Sequence, residues 1–320
     1  MDRTRRTAVA APAGAATAIF THERPRLSHR RTEALWALLF ISPWLLGFLL
    51  FTAGPMVYSF VISFWDTNFL NRNDYVGLAN YEEMVADPLF YKSLRVTFLY
   101  TVLTVPFATV IALGLALLLN NTLRFNAFYR TVYYLPAVVS GVAVALVWGW
   151  VLNPTDGLVN QTLRLVGIPG PRWFASEDWA VPGLVLIALW GTGTNMLLYL
   201  AGLQSIPTEL REAAKIDGAG AVRSFLNVTL PLLTPTIFFN VILNVIGSFQ
   251  VFTQAYVLTR GGPNNATLTM VMYLYRAAFQ EFRFGYASAL AWTLFAIIFG
   301  FTLILIRSQS LWVHYEGGIR

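Results

Sequence analysis

Six stretches of the chain are apolar over lengths that match the hydrocarbon core of a bilayer: Leu35–Phe64, Val96–Leu119, Thr131–Leu152, Val181–Leu203, Leu230–Leu258 and Tyr286–Ile306. None contains Asp, Glu, Lys or Arg. They lack the two-residue alternation of a lipid-facing barrel strand, so the pattern predicts six membrane helices in an all-α integral membrane bundle. The first and fifth are long enough to tilt, or to break at Pro43, Pro55 or Pro235. Domain organisation follows directly. Residues 1–33 read as a disordered basic tail, 34–308 as the bundle and 309–320 as a short tail.

Composition reinforces this reading. Of 320 residues, 56% are hydrophobic and 12% charged, and the mean hydropathy is +0.57, an apolar excess that one water-soluble core cannot hide. The formal charge of +6 is informative through its distribution. With the N-terminus in the cytoplasm, the inner segments hold 14 of the 22 basic and 7 of the 16 acidic residues, a surplus of +7 against −1 outside. The positive-inside rule therefore predicts a multi-pass protein of the cell membrane with both termini cytoplasmic, and the basic surplus needs no nucleic acid to explain it. Arg5-Arg6 and the Ala-rich run Ala8–Phe20 could be taken for a secretory signal, but the run is too weakly apolar for one, and a tail is the simpler reading.

Enzyme chemistry has little to stand on. Cysteine is absent, the histidines are confined to positions 22, 29 and 314, and neither Lys92 nor Lys215 follows a glycine as a phosphate-loop lysine would. The spans offer no carboxylate or histidine to bind a coupling ion, so a transport role would draw its energy from a partner. No cofactor is expected in the chain itself.

One cytoplasmic segment carries a specific signal. From Gln204 to Gly220 the chain reads QSIPTELREAAKIDGAG, with Thr208 as a candidate N-cap, Glu209 in the first turn and Gly218 able to end a short helix over about residues 208–218. Glu212-Ala213-Ala214, then Gly218, then nine residues to Val228-Thr229-Leu230-Pro231 resembles the EAA motif of ABC importer permeases, with Val228 where Ile is usual. The resemblance covers about residues 34–308 and is nearest to the carbohydrate-uptake type, which includes maltose, multiple-sugar and glycerol-3-phosphate permeases. Tyr75–Tyr81, Arg130–Pro136, Thr259–Pro263 and Phe284–Ala289 contribute to it.

The resemblance implies a six-helix type I importer permease with a cytoplasmic coupling helix. It implies as partners a second homologous permease, two cytoplasmic ATPase subunits that bind ATP and Mg, and an extracytoplasmic solute-binding protein. Glu212, Ala213, Ala214, Asp217 and Gly218 would then dock in the ATPase.

A neutral polyhydroxylated solute requires amides, hydroxyls and aromatic faces without fixed charge. Trp190, Thr192, Thr194 and Asn195 in the fourth span, and Asn240, Asn244, Ser248 and Gln250 in the fifth, supply them. Trp190, Asn195, Asn244, Ser248, Gln250 and Val251 match pore-lining positions of the resembled family, and Thr194 joins them as a candidate. The same amides can equally act as interhelical hydrogen-bond glue. Met270–Phe284 reads as an amphipathic interfacial helix. Two further readings stay open: import of glycerol-3-phosphate or another polyol, and a membrane scaffold or receptor that recruits an ATPase without transport.

Overall fold

A computed structural model of the chain describes residues 26–121 and 124–314. The signal-like run and most of the expected tail lie outside them. The chain divides between Val57 and Tyr58 into two compact units.

The first unit is helix α1 (Arg26–Phe48) and a π-helical turn, Leu49–Ala53, leading into α2 (Gly54–Ile62). Helix begins at Arg26, inside the segment expected to be tail, because Leu27 to Arg31 contain no helix breaker. The chain passes Pro43 as helix. The irregular turn comes just before Pro55, whose ring cannot donate to the preceding turn. Bulky apolar side chains such as Phe40 and Phe51 stay exposed all along this unit.

The second unit takes in the end of α2 and continues with a short hairpin, β1 (Trp65–Thr67) against β2 (Asn73–Tyr75), and then α3 (Ala79–Ala86) and α4 (Pro88–Leu119). Next come α5 (Asn126–Val138), α6 (Gly141–Val151), α7 (Leu158–Leu165), α8 (Glu177–Trp190) and α9 (Gly193–Ser205). Helix α10 (Thr208–Ile216) and the single turn α11 (Ala221–Ser224) precede α12 (Leu230–Phe249), and α13 (Thr253–Thr259), α14 (Met270–Phe279) and α15 (Phe284–Trp312) complete the chain. The last helix runs past the boundary expected at 308.

Among the described residues, Arg31–Ile62, Pro88–Leu119, Ala221–Thr259 and Phe284–Trp312 are each long and apolar enough to cross a bilayer. The third and fourth expected spans are bent pairs. Helices α5 and α6 meet at 101°, and α8 and α9 at 46°. Val139 and Ser140 are extended where an unbroken helix was expected, after Pro136 and before Gly141, a combination that removes a donor and weakens the helix. The other bend falls at Gly191-Thr192.

Helix α4 is the axle of the second unit and packs against α8, α9, α12 and α14. Ala108, Ala112 and Ala116 recur every four residues on its buried face, which lets neighbouring backbones approach closely, as small residues do between membrane helices. Gly202 does the same between α9 and α12, where a Cβ would meet Leu233 Cδ1 at 2.8 Å. Gly193 abuts α5 so tightly that a Cβ would lie 2.2 Å from the Tyr133 carbonyl oxygen. Helix α14 stops at Phe279, short of the expected interfacial helix. It buries Met270, Met272, Tyr273, Ala277 and Ala278 inside the protein, where that apolar stripe finds α4 and α15.

A polar knot ties the Pro88 end of α4 to α14 and α15. Asp87 caps α4 by accepting from the Leu89 N–H at 2.8 Å, and its second oxygen accepts from Tyr286 Oη at 2.8 Å and from Tyr273 Oη. Burial, and then the Asp87 carboxylate, push the Tyr273 phenol well above its ordinary pKa, so it remains a donor. Beside it the Arg283 guanidinium pairs with Glu83, which raises its pKa, and lies 4.5 Å from the Tyr286 ring centre. Replacing Asp87 by Ala removes a cap and two hydrogen bonds to a charged acceptor, a loss of about 2–4 kcal/mol. The melting temperature of the detergent-solubilised chain is expected to fall by several degrees in Asp87→Ala and by less in Asp87→Asn. An unchanged midpoint in Asp87→Ala would contradict the role given to this knot.

Candidate functional site

Midway along α4, where it passes the broken points of two other spans, lies a cavity of about 420 Å³. Tyr100, Thr104 and Ala108 face it from α4, Gly191, Thr192 and Asn195 from the α8–α9 bend, and Asn244, Ser248, Gln250 and Val251 from the end of α12. Helix α12 stops at Phe249, and Gln250 to Phe252 are non-helical before α13 begins. Irregular backbone at membrane depth persists only where protein or a polar cavity satisfies it. Here Thr269 Oγ1 donates to the Val251 carbonyl at 2.9 Å, and Thr97 Oγ1 accepts the Met270 N–H at 2.9 Å, so the loop and the start of α14 hold each other.

The lining is neutral, with no Asp, Glu, Lys or Arg. Asn195 Nδ2 donates to Asn244 Oδ1 at 2.9 Å, which orients both amides. Asn244 Nδ2 has no partner among the described residues, and Ser248 Oγ donates to the Val245 carbonyl while keeping its lone pairs. Such a set can give and take hydrogen bonds with hydroxyl groups and exerts no net charge on them.

Of the residues expected to share a pathway, Asn195, Asn244, Ser248, Gln250 and Val251 do come together. Trp190 and Thr194 do not line the cavity. Trp190 ends α8 before the bend, is 44% exposed and packs edge-on against Trp148 at 5.8 Å. Thr194 precedes Asn195 by one residue, about 100° around the helix, and is exposed. Asn240 is buried below the cavity and bonds back to the Thr236 carbonyl at 3.0 Å. Tyr100 and Thr104 escaped the sequence reading. Their signal was a stripe of hydroxyls, Thr97, Tyr100, Thr101 and Thr104, at helical spacing in an otherwise apolar span.

At the far end of α4, about 48 Å from Pro88 for a helix of this length, sits α10. It begins at Thr208, with Pro207 rather than Thr208 in the cap position and no side-chain cap. It ends as expected. Gly218 has φ +77°, its N–H bonds to the Lys215 carbonyl at 3.0 Å, and the Ala219 N–H reaches the Ala214 carbonyl at 2.9 Å, a Schellman closure. Thr208, Arg211, Glu212 and Lys215 form one face over a cleft of about 700 Å³, whereas Ala213, Ile216 and Asp217 lie exposed on the other side. Ile216 is 86% exposed on that outer side.

Residues 97–312 match the family described as the binding-protein-dependent transport system inner membrane component. The chain belongs to that family. This inner membrane component is 42% identical over 291 residues to the probable ABC transporter permease protein YesP of Bacillus subtilis (strain 168), covering 89% of this chain and 94% of that one. It is 34% identical to the sulfoquinovosyl glycerol transport system permease protein SmoG of Agrobacterium fabrum (strain C58), with 86% and 90% covered. Its fold resembles a solved bacterial alginate ABC transporter in complex with alginate pentasaccharide-bound periplasmic protein, at TM-score 0.76 and 24% identity over 90% of this chain and 97% of that one. The all-α ABC importer permease fold expected from the sequence is therefore the one observed, in a family of transport subunits.

Asn244→Ala deletes both the acceptor of Asn195 and an unpaired amide of the cavity. Solute uptake by cells with equal membrane levels of the chain is expected to drop about tenfold, equivalent to ~1.4 kcal/mol, while Thr194→Ala leaves it unchanged. Equal rates in the two variants would separate the cavity from the transport path.

Proposed function

We propose that this chain is the permease subunit of an ATP-driven importer for a neutral carbohydrate. The observation that carries this reading is the charge-free cavity of about 420 Å³ at mid-span, lined by paired and unpaired amides and hydroxyls where two membrane helices break. That arrangement suits a solute rich in hydroxyls, and broken helices at the midplane are a common way of building a transport site. The absence of any cation from the lining argues against glycerol-3-phosphate, because a phosphate dianion in a low-dielectric site needs a countercharge. A relative named the lactose transport system permease protein LacF of Rhizobium radiobacter, 34% identical over 81% of this chain and 89% of that one, supports an uncharged sugar.

In this reading both termini and α10 are cytoplasmic, as the distribution of basic residues favours. A secreted binding protein delivers the solute to the opposite face. A second permease and two ATPase subunits complete the assembly, and ATP and Mg reside in the ATPases, so the chain itself catalyses nothing. Glu212, Ala213, Ala214, Asp217 and Gly218 dock the ATPase. Ala213, Asp217 and exposed Ile216 present a surface for it, while Glu212 sits at the edge of the cleft. Movement of α10 then passes through the turn at Gly218 and the π-helical segment Phe225–Thr229 into α12, which forms one wall of the cavity.

Two measurements test the reading. Glu212→Lys is expected to reduce uptake and substrate-stimulated ATP hydrolysis at least about tenfold with membrane insertion intact, and unchanged uptake would refute the docking role. Because the chain has no cysteine, Ala213→Cys provides a single thiol. It should react with a membrane-impermeant maleimide only after the cells are opened, and labelling of intact cells would overturn the orientation.

A further inference from the structure

The cleft beneath α10 has a chemistry that solute transport does not use. Arg211 and Lys215, one helical turn apart, both line it, with Asn120 at the end of α4 and Ser224 on α11. Neither cation is within 4 Å of a carboxylate of the described residues. Among the described residues the ion pairs are Arg72–Asp66, Arg276–Glu281 and Arg283–Glu83. Glu212 shares the cleft without pairing with either. The Nε of Arg211 is buried and has no acceptor among the described residues, although a buried donor ordinarily has one. Positive-inside topology accounts for basic residues at this end of the bundle, but not for a guanidinium turned into a cavity with its donor unpaired.

We propose that this cleft binds a phosphate group. A guanidinium offers a rigid fork of donors that matches phosphate oxygens, a neighbouring ammonium supplies the second charge, and a hydroxyl and an amide complete the set. The volume of about 700 Å³ is larger than a phosphate alone needs, and Leu117, Leu203 and Phe225 line the remainder, so the ligand carries an apolar portion next to its phosphate. The headgroup of an anionic phospholipid and a soluble phosphate ester share this chemistry. Either would bear on the segment that joins α10 to α12, and so on the stiffness of the lever through which α10 acts.

The test uses the purified full chain and reads binding rather than transport, so it stands or falls independently of the carbohydrate assignment. The chain is placed in nanodiscs of phosphatidylcholine alone or with phosphatidylglycerol, and lipid retained is counted by native mass spectrometry. In parallel, inorganic phosphate is titrated against chloride at equal ionic strength in the phosphatidylcholine discs, with the melting temperature as readout. Preferential retention of phosphatidylglycerol identifies a lipid headgroup as the source, and stabilisation by phosphate identifies a soluble one. Whichever response appears should fall at least fivefold in Arg211→Gln/Lys215→Gln and rise at least twofold in Glu212→Gln, which removes the competing carboxylate. Absence of both responses in the wild-type chain overturns the proposal. So does an undiminished response in the double variant or, should that variant fail to fold, an unaltered one in Glu212→Gln.

Discussion

The constraint on which the structure depends is that no water is available in the hydrocarbon to satisfy a broken helix. Every place where this chain abandons helical geometry at membrane depth must therefore be closed by its own polar groups or opened onto a polar cavity. The segment Gln250–Phe252 shows both solutions side by side. Its Val251 carbonyl is taken by Thr269, while Gln250 and Val251 also line the cavity. The α8–α9 bend at Gly191-Thr192 contributes Asn195 and Thr192 to the same space. The candidate site is thus not an addition to the bundle. It is the place where two spans fail as helices and α4 passes between them.

Helix α4 gives those failures a fixed frame. Its small-residue face allows close packing without loss of helicity, and its hydroxyl stripe supplies both a cap for α14 and one wall of the cavity. At one end the Asp87 knot holds α14 and α15 to it, and at the other α10 lies beside its last turn. Any displacement at the α10 end that moves α12 changes the cavity wall against a helix held at the opposite end.

Much of this was legible from residue order. Charge-free stretches of membrane length, the Glu212-Ala213-Ala214 to Gly218 spacing and the amides of the fourth and fifth spans all describe local requirements: desolvation of a helix, closure of a short helix by glycine, and hydrogen-bond capacity in a lipid-facing segment. Trp190 and Thr194 lie outside the cavity lining, because position along a span does not say which side of a bend a residue faces. Tyr100 and Thr104 were hidden because single hydroxyls in a long apolar helix look the same whether they bond back to their own turn or face a cavity.

The sequence by itself therefore determined where the apolar segments of membrane length lie, the family and the presence of a short helix between the fourth and fifth of those segments, since each depends on the composition of one contiguous segment. Only the tertiary structure decided that the third span turns through 101° and that α14 is buried. It also decided that the neutral cavity joins three spans and that Arg211 and Lys215 share a cleft with the end of α4. These depend on which faces of distant segments meet, and that is set by packing volume and by the demand that buried polar atoms find partners.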